Sequence, residues 1–155
     1  MARVPSVSPE PYYDANSYRA LANNRAMLAG VAELGAKLLR EGVLPARVRE
    51  VVILFVVGAL DCAYEIHYHK KAAVAVGLTD VEIAAAVAGD VNRHAEREAA
   101  ALRYVRGFTR LQVDDALWAA TSKHYSPAQI VELGVLAGFY GMIARSISAL
   151  KVELD

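Results

Sequence analysis

A single cysteine in 155 residues cannot form an internal disulfide, so this chain is not built on a disulfide framework and suits a reducing compartment. Charge of one sign is also missing. Lys and Arg total 17, as do Asp and Glu, which leaves no basic face for nucleic acid and no polybasic patch for an anionic membrane. The longest apolar run, Val51 to Leu60, is about half of what a membrane span needs. The opening MARVPSVSPEP lacks a signal-peptide core. No Gly-rich phosphate loop, Ser-His-Asp order or basic stretch interleaved with aromatics occurs. These absences point to a cytoplasmic protein that engages neither nucleic acid nor membrane.

What the chain does have is apolar residues, at 55%. That exceeds the roughly 45–50% of ordinary soluble domains. One domain of this size has limited core volume, so the excess is expected to be covered by further copies of the chain, as a homo-oligomer.

Residues 1–15 carry Pro5, Pro9 and Pro11 without helical period and are expected to form an extended arm. Residues 16–155 read as one helical domain. From Asn16 to Arg40, Tyr18, Leu21, Met27, Leu28, Val31, Leu34, Leu38 and Leu39 recur at helical spacing, and Gly42 ends that stretch. Leu44-Pro45 opens a helix running to about Leu60, apolar nearly all round and therefore central. Asp61 is the expected N-cap of the next helix, to Val76, with Gly77 as its left-handed stop. Thr79 and Ser126 head capping boxes, the first opening a helix to about Ala88 and the second a helix to about Leu150. Between them lie helices from about Ala95 to Phe108 and from Asp114 to about Lys123. With no strand or hairpin signal, the fold class is all-α.

Residues 44–60 align with 126–142, matching Pro45 with Pro127 and Glu50 with Glu132. This suggests a duplicated helical hairpin. The second copy has Ala144 in place of Cys62 and no histidine, so Glu132 reads as structural and the chemistry belongs to the first copy.

That chemistry is concentrated in Glu50 to His69, EVVILFVVGALDCAYEIHYH. On a helix advancing about 100° per residue, Cys62, Glu65 and His69 fall on one face, while His67 and Tyr68 point far from it. A metal site would need another donor. Thiol chemistry needs a lowered cysteine pKa, and proton transfer needs a base in a dry pocket. Either can draw on Glu50 from the preceding helix. His67, His94 and His124 read as surface or interface residues.

At these residues the chain resembles the carboxymuconolactone decarboxylase family, which includes the alkylhydroperoxidase D proteins. The likeness runs from about Leu44 to Leu150 and is strongest in LPARVREVVIL, CAYEIHYH, AVGLTDVEI and HYSPAQIVEL. In the peroxidase branch, glutamate is followed after eleven residues by cysteine, after two by a second cysteine, and after three by histidine. Here Glu50, Cys62 and His69 fill three of those places, and Glu65 stands where the second cysteine belongs. Tyr64 occupies the place of the histidine often found between the cysteines. The resemblance implies an alkylhydroperoxidase D-like helical bundle assembled as a trimer or hexamer. It implies an enzyme with no metal or organic cofactor, in which Glu50, Cys62 and His69 are catalytic and Glu65 and Tyr64 line the pocket. It further implies a small carboxylated substrate for cofactor-free acid–base chemistry, of the decarboxylation or lactone and proton-transfer type. The alternatives are a hydroperoxide reductase with antioxidant, peroxiredoxin-type activity, dependent on Cys62 and an external thiol, and a non-catalytic helical oligomer. A cationic anchor for the substrate is also expected, with Arg47 and Arg49 flanking the glutamate.

Overall fold

The computed structural model describes residues 1–155 as eight α-helices and one 3₁₀ turn, with no strand. In chain order they are α1 (Asn16–Leu21), α2 (Arg25–Arg40), α3 (Ala46–Gly58), α4 (Ala63–Ala75), α5 (Asp80–Ala88), α6 (Glu96–Thr109), α7 (Asp115–Ser122) and α8 (Pro127–Leu150).

The centre is α3, which packs against α4, α5, α6 and α8. Val51, Val52, Ile53, Leu54 and Val57 have no solvent exposure. Burying each such side chain contributes about 2 kcal/mol, so the apolar run is the main cohesive element. Its end approaches α5 without room for a side chain. A Cβ on Gly58 would lie 2.3 Å from the Val87 carbonyl oxygen. The helix α8 is long and apolar enough to cross a membrane, but most of that surface is buried inside the fold.

Local chemistry sets most boundaries. Thr79 and Ser126 form capping boxes with Glu82 and Gln129, and Asp114 accepts from the Leu117 N–H. Gly77, at φ 86°, closes α4 as expected.

Two boundaries differ from the sequence expectation. The stretch from Asn16 to Arg40 is two helices rather than one. The Asn24 side chain accepts from the Met27 N–H and starts α2 afresh. Asp61 is not the cap of α4 but the stop of α3. It adopts φ 48°, its N–H bonds the Gly58 carbonyl, and the Cys62 N–H bonds the Val57 carbonyl, a Schellman closure. Cys62 therefore takes the N-cap position of α4, without a side-chain cap bond.

The internal similarity maps onto α3 and α8. The first copy turns at Asp61, whereas α8 runs on unbroken to Leu150, so the second copy keeps the leading helix and extends it. Glu132 is a brace: its carboxylate accepts from the backbone N–H groups of Val43 (2.5 Å) and Leu44 (3.3 Å), fixing the approach to α3. The extended arm lies on its own chain, where the Arg3 N–H bonds the Leu150 carbonyl at 2.9 Å and Arg25 donates to the Ser8 and Glu10 carbonyls.

Candidate functional site

Because α4 folds back along α3, residues nineteen apart in sequence meet. His69 Nδ1 lies 2.7 Å from Glu50 Oε2, and both residues are buried. On the other side of the ring, His69 Nε2 lies 3.5 Å from Glu65 Oε2, one helical turn earlier on α4. The second oxygen of Glu50 faces Arg49 Nε at 3.3 Å. A buried imidazole thus stands between two carboxylates. Burial opposes its ionisation, but the hydrogen bonds and charges of Glu50 and Glu65 outweigh that and raise its pKa to about 9. At neutral pH His69 is an imidazolium that donates to Glu50 and faces the Glu65 carboxylate as an ion pair.

In front of this chain of groups lies a cavity of about 700 Å³ bounded by α1, α2, α4 and α8. Glu65 and Tyr64 line it, as the sequence led one to expect, and so does Tyr68, which the helical spacing had turned away. Tyr68 stands three residues from Glu65 and continues its face toward the mouth. Glu50 and His69 do not line the cavity; Glu65 stands between them and it.

Cys62 is separate from the relay. It is 2% exposed, does not line the cavity, and hydrogen-bonds neither Glu50 nor His69. Burial, with the Glu65 charge adding to it, pushes its thiol above the ordinary value despite neighbouring polar groups of Glu65 and Ser148. Its helix-terminal position does not yield a thiolate.

Further cavity residues carry polar groups that the sequence did not single out, among them Tyr140, Tyr18 and Arg40. Tyr140 of α8 stands edge-on to His69, with ring centroids 4.8 Å apart. Burial and the charges of Glu65 and Glu50 hold its phenol protonated far above neutral pH. The one hint of it was a lone hydroxyl in the apolar run LAGFYGMIA. Tyr18 lies on the α1 wall, and Arg40, at the end of α2, is the only cation on the lining. Of the two arginines beside the glutamate, Arg47 points elsewhere, to Glu82, Glu98 and the Gly77 carbonyl.

The histidines outside the relay divide. His67 is exposed, but the His94 side chain is fully buried within its own chain, contrary to its reading as a surface or interface residue. Neither His94 ring nitrogen has a hydrogen-bond partner. The turn before α6 folds the ring inward over Glu98, an orientation no local pattern encodes.

The carboxymuconolactone decarboxylase family model matches residues 25–107, from α2 through most of α6, and so includes Glu50, Cys62, Glu65 and His69. The chain belongs to the carboxymuconolactone decarboxylase family. Within the matched stretch the sequence reads Cys62-Ala63-Tyr64-Glu65. Among curated proteins, none matches the chain. Solved structures share the alkylhydroperoxidase D-like fold of this family member. An uncharacterised peroxidase-related protein from Ralstonia eutropha, described as an alkylhydroperoxidase core, superposes with TM-score 0.86 at 14% identity, covering 99% of this chain and 92% of its own. A peroxidase-related protein from Silicibacter gives 0.82 at 20% identity, covering 91% and 76%. The debrominase Bmp8 gives 0.76 at 15%, covering 92% and 78%.

Proposed function

We propose that this family member is a cofactor-free acid–base enzyme acting on a small carboxylated substrate, by decarboxylation or by proton transfer next to a lactone or carbonyl. The observation that carries the reading is the buried Glu50–His69–Glu65 chain, with only Glu65 facing the cavity. In that arrangement Glu65 is the group that touches substrate, and His69 and Glu50 are the proton reservoir behind it. When a substrate carboxylate leaves as carbon dioxide, its bonding electron pair stays on the substrate carbon. The His69 imidazolium passes its proton through the Glu65 carboxylate to that carbon, and a proton from solvent restores His69. In an isomerisation, Glu65 takes a proton from one carbon and returns it to another. Tyr140, held as a neutral phenol, can donate to a developing enolate oxygen.

The absence of a second cysteine and the raised pKa of Cys62 weigh against the thiol-dependent hydroperoxide reductase. The homo-oligomer belongs to the same proposal, as a trimer or hexamer. A separate apolar groove of about 500 Å³ between α2, α6 and α8 supports it, with Val131 and Val135 on its lining exposed by 65% and 41%.

The test is NMR of small carboxylated lactones in deuterated water, read for deuterium incorporation and loss of carbon dioxide. Glu65→Gln and His69→Ala should slow turnover by about a hundredfold or more with the fold retained, and Cys62→Ala should leave it unchanged. Full activity in Glu65→Gln, or a panel blank throughout, would overturn the reading. Loss in Cys62→Ala, together with a sulfenic acid at low peroxide, would replace it with the hydroperoxide reductase.

A further inference from the structure

Tyr64 and Tyr68, one turn apart on α4 with ring centroids 5.0 Å apart, direct both hydroxyls at one oxygen. Tyr64 donates to Asp155 Oδ2 at 2.8 Å and Tyr68 donates to the same atom at 2.5 Å. The other oxygen, Oδ1, accepts from the Asn16 backbone N–H at 2.5 Å. The Tyr64 hydroxyl is also fixed from behind, accepting from the buried Ser17 N–H at 3.3 Å; Ser17 Oγ lies 3.3 Å away as well, and the shorter contact, at 2.8 Å, is the one to Asp155. No lysine or arginine is paired with this carboxylate; its direct partners are neutral donors, and the Arg19 charge acts on it from further off.

The segment that delivers Asp155 is loosely held. Lys151 ends α8 in a left-handed conformation, and Glu153, Leu154 and Asp155 are exposed. The Asn16 side chain donates to the carbonyls of Glu153 and Leu154. These hydrogen bonds, of about 1 kcal/mol each, are set against the entropy of ordering an exposed segment. It also sits over the cavity. Tyr64, Tyr68 and Val152 line the mouth together with Pro11, Tyr12 and Tyr13 of the arm. Arm and tail are tied to each other, since Arg3 donates to the Leu150 and Ala149 carbonyls and the Met1 ammonium lies 2.7 Å from Glu153.

We propose that the Tyr64 and Tyr68 phenols and the Asn16 N–H form a carboxylate receptor at the mouth of the cavity. Asp155 occupies it as an internal ligand, and a small carboxylate entering the cavity displaces Asp155 and releases the strap. On the cavity wall Glu65 repels a carboxylate, and Arg40 is the only cation on the lining. A ligand is therefore oriented with its acid group at the mouth and its remainder toward Glu65, which fits the proton-transfer form of the reading above and not the loss of that same carboxyl group. The proposal rests on the cavity being a ligand site, as in the reading above, but needs no proton-transfer step.

Calorimetric titration of the full chain with 4-phenylbutyrate and with its neutral amide tests it by binding alone, whatever the fate of the catalytic reading. An internal competitor lowers apparent affinity by the fraction of time the receptor is free. Asp155→Ala should therefore tighten 4-phenylbutyrate about tenfold or more and change the amide by less than about twofold. Adding Tyr68→Phe should return the carboxylate to the parent level. Equal tightening of acid and amide would make the tail a plain plug and overturn the receptor. No tightening of either, or a gain that survives Tyr68→Phe, would overturn it as well.

Discussion

His69 Nδ1 and Glu50 Oε2 are 2.7 Å apart in a water-poor interior, joined across two helices that meet only because α4 folds back on α3. One ring nitrogen is thereby committed to a carboxylate that does not line the cavity. The other is left to Glu65, 3.5 Å away at the cavity wall. This division orders the site: Glu50 sets the state of His69, and Glu65 presents the result.

The pair makes stability depend on pH in a defined direction. The His69 pKa is raised to about 9 from an unfolded value of 6.5, so the stabilisation is fully present below pH 6.5 and is lost as pH rises through about 9. At about 1.4 kcal/mol per pH unit the stake is on the order of 3 kcal/mol. Buried His94 has the opposite sign, because desolvation lowers its pKa and stability is lost as pH falls below about 6.5. The charged groups around that ring are Glu98, Glu82, Arg47 and Asp90. Denaturant titrations from pH 5 to pH 10 should show His69→Gln removing the alkaline loss and His94→Phe removing the acid loss. At pH 7, His94→Phe should also gain about 1–2 kcal/mol, because two unpartnered buried nitrogens disappear.

Backbone approach at Gly58 predicts a strong mutational asymmetry. Gly58→Ala should cost about 3 kcal/mol, since its Cβ meets backbone atoms of Val87 at 2.3 and 2.7 Å and α3 and α5 must separate. Gly30→Ala has open space within 4 Å and lies inside α2, so it should stabilise by about 0.5–1 kcal/mol. Urea midpoints at constant m-value check both.

The exposed apolar groove between α2, α6 and α8 predicts assembly. Light scattering after gel filtration should give three or six times the mass of one chain. Val135→Glu, which places a charge on the groove lining, should shift the population toward monomer while helical circular dichroism is retained. A parent protein that elutes as a monomer at micromolar concentration would remove the oligomer from the proposal.

The elements legible in the sequence were those written in short-range chemistry. The capping boxes at Thr79 and Ser126, the left-handed stop at Gly77 and the all-round apolarity of Val51 to Leu60 each act within a turn or two of helix, so a linear reading suffices. Asp61 was misread because capping α4 and closing α3 suit the same residue, and only the chain's reversal selects between them. In the site, the residue types and the placing of Glu50, Glu65 and His69 within reach of one another were also readable.

The sequence by itself determined an all-helical chain of the carboxymuconolactone decarboxylase family, with one cysteine, a buried central helix and a glutamate three residues after that cysteine. The tertiary structure alone decided which of those groups meets the cavity. Where α1, α2 and α8 lie relative to α4 is a packing outcome between distant segments, and that packing shields Cys62, encloses His69 and leaves Glu65 at the wall. It also brought Tyr140 to His69 and Asp155 to Tyr64 and Tyr68, contacts across 71 to 91 residues that no helical period can encode.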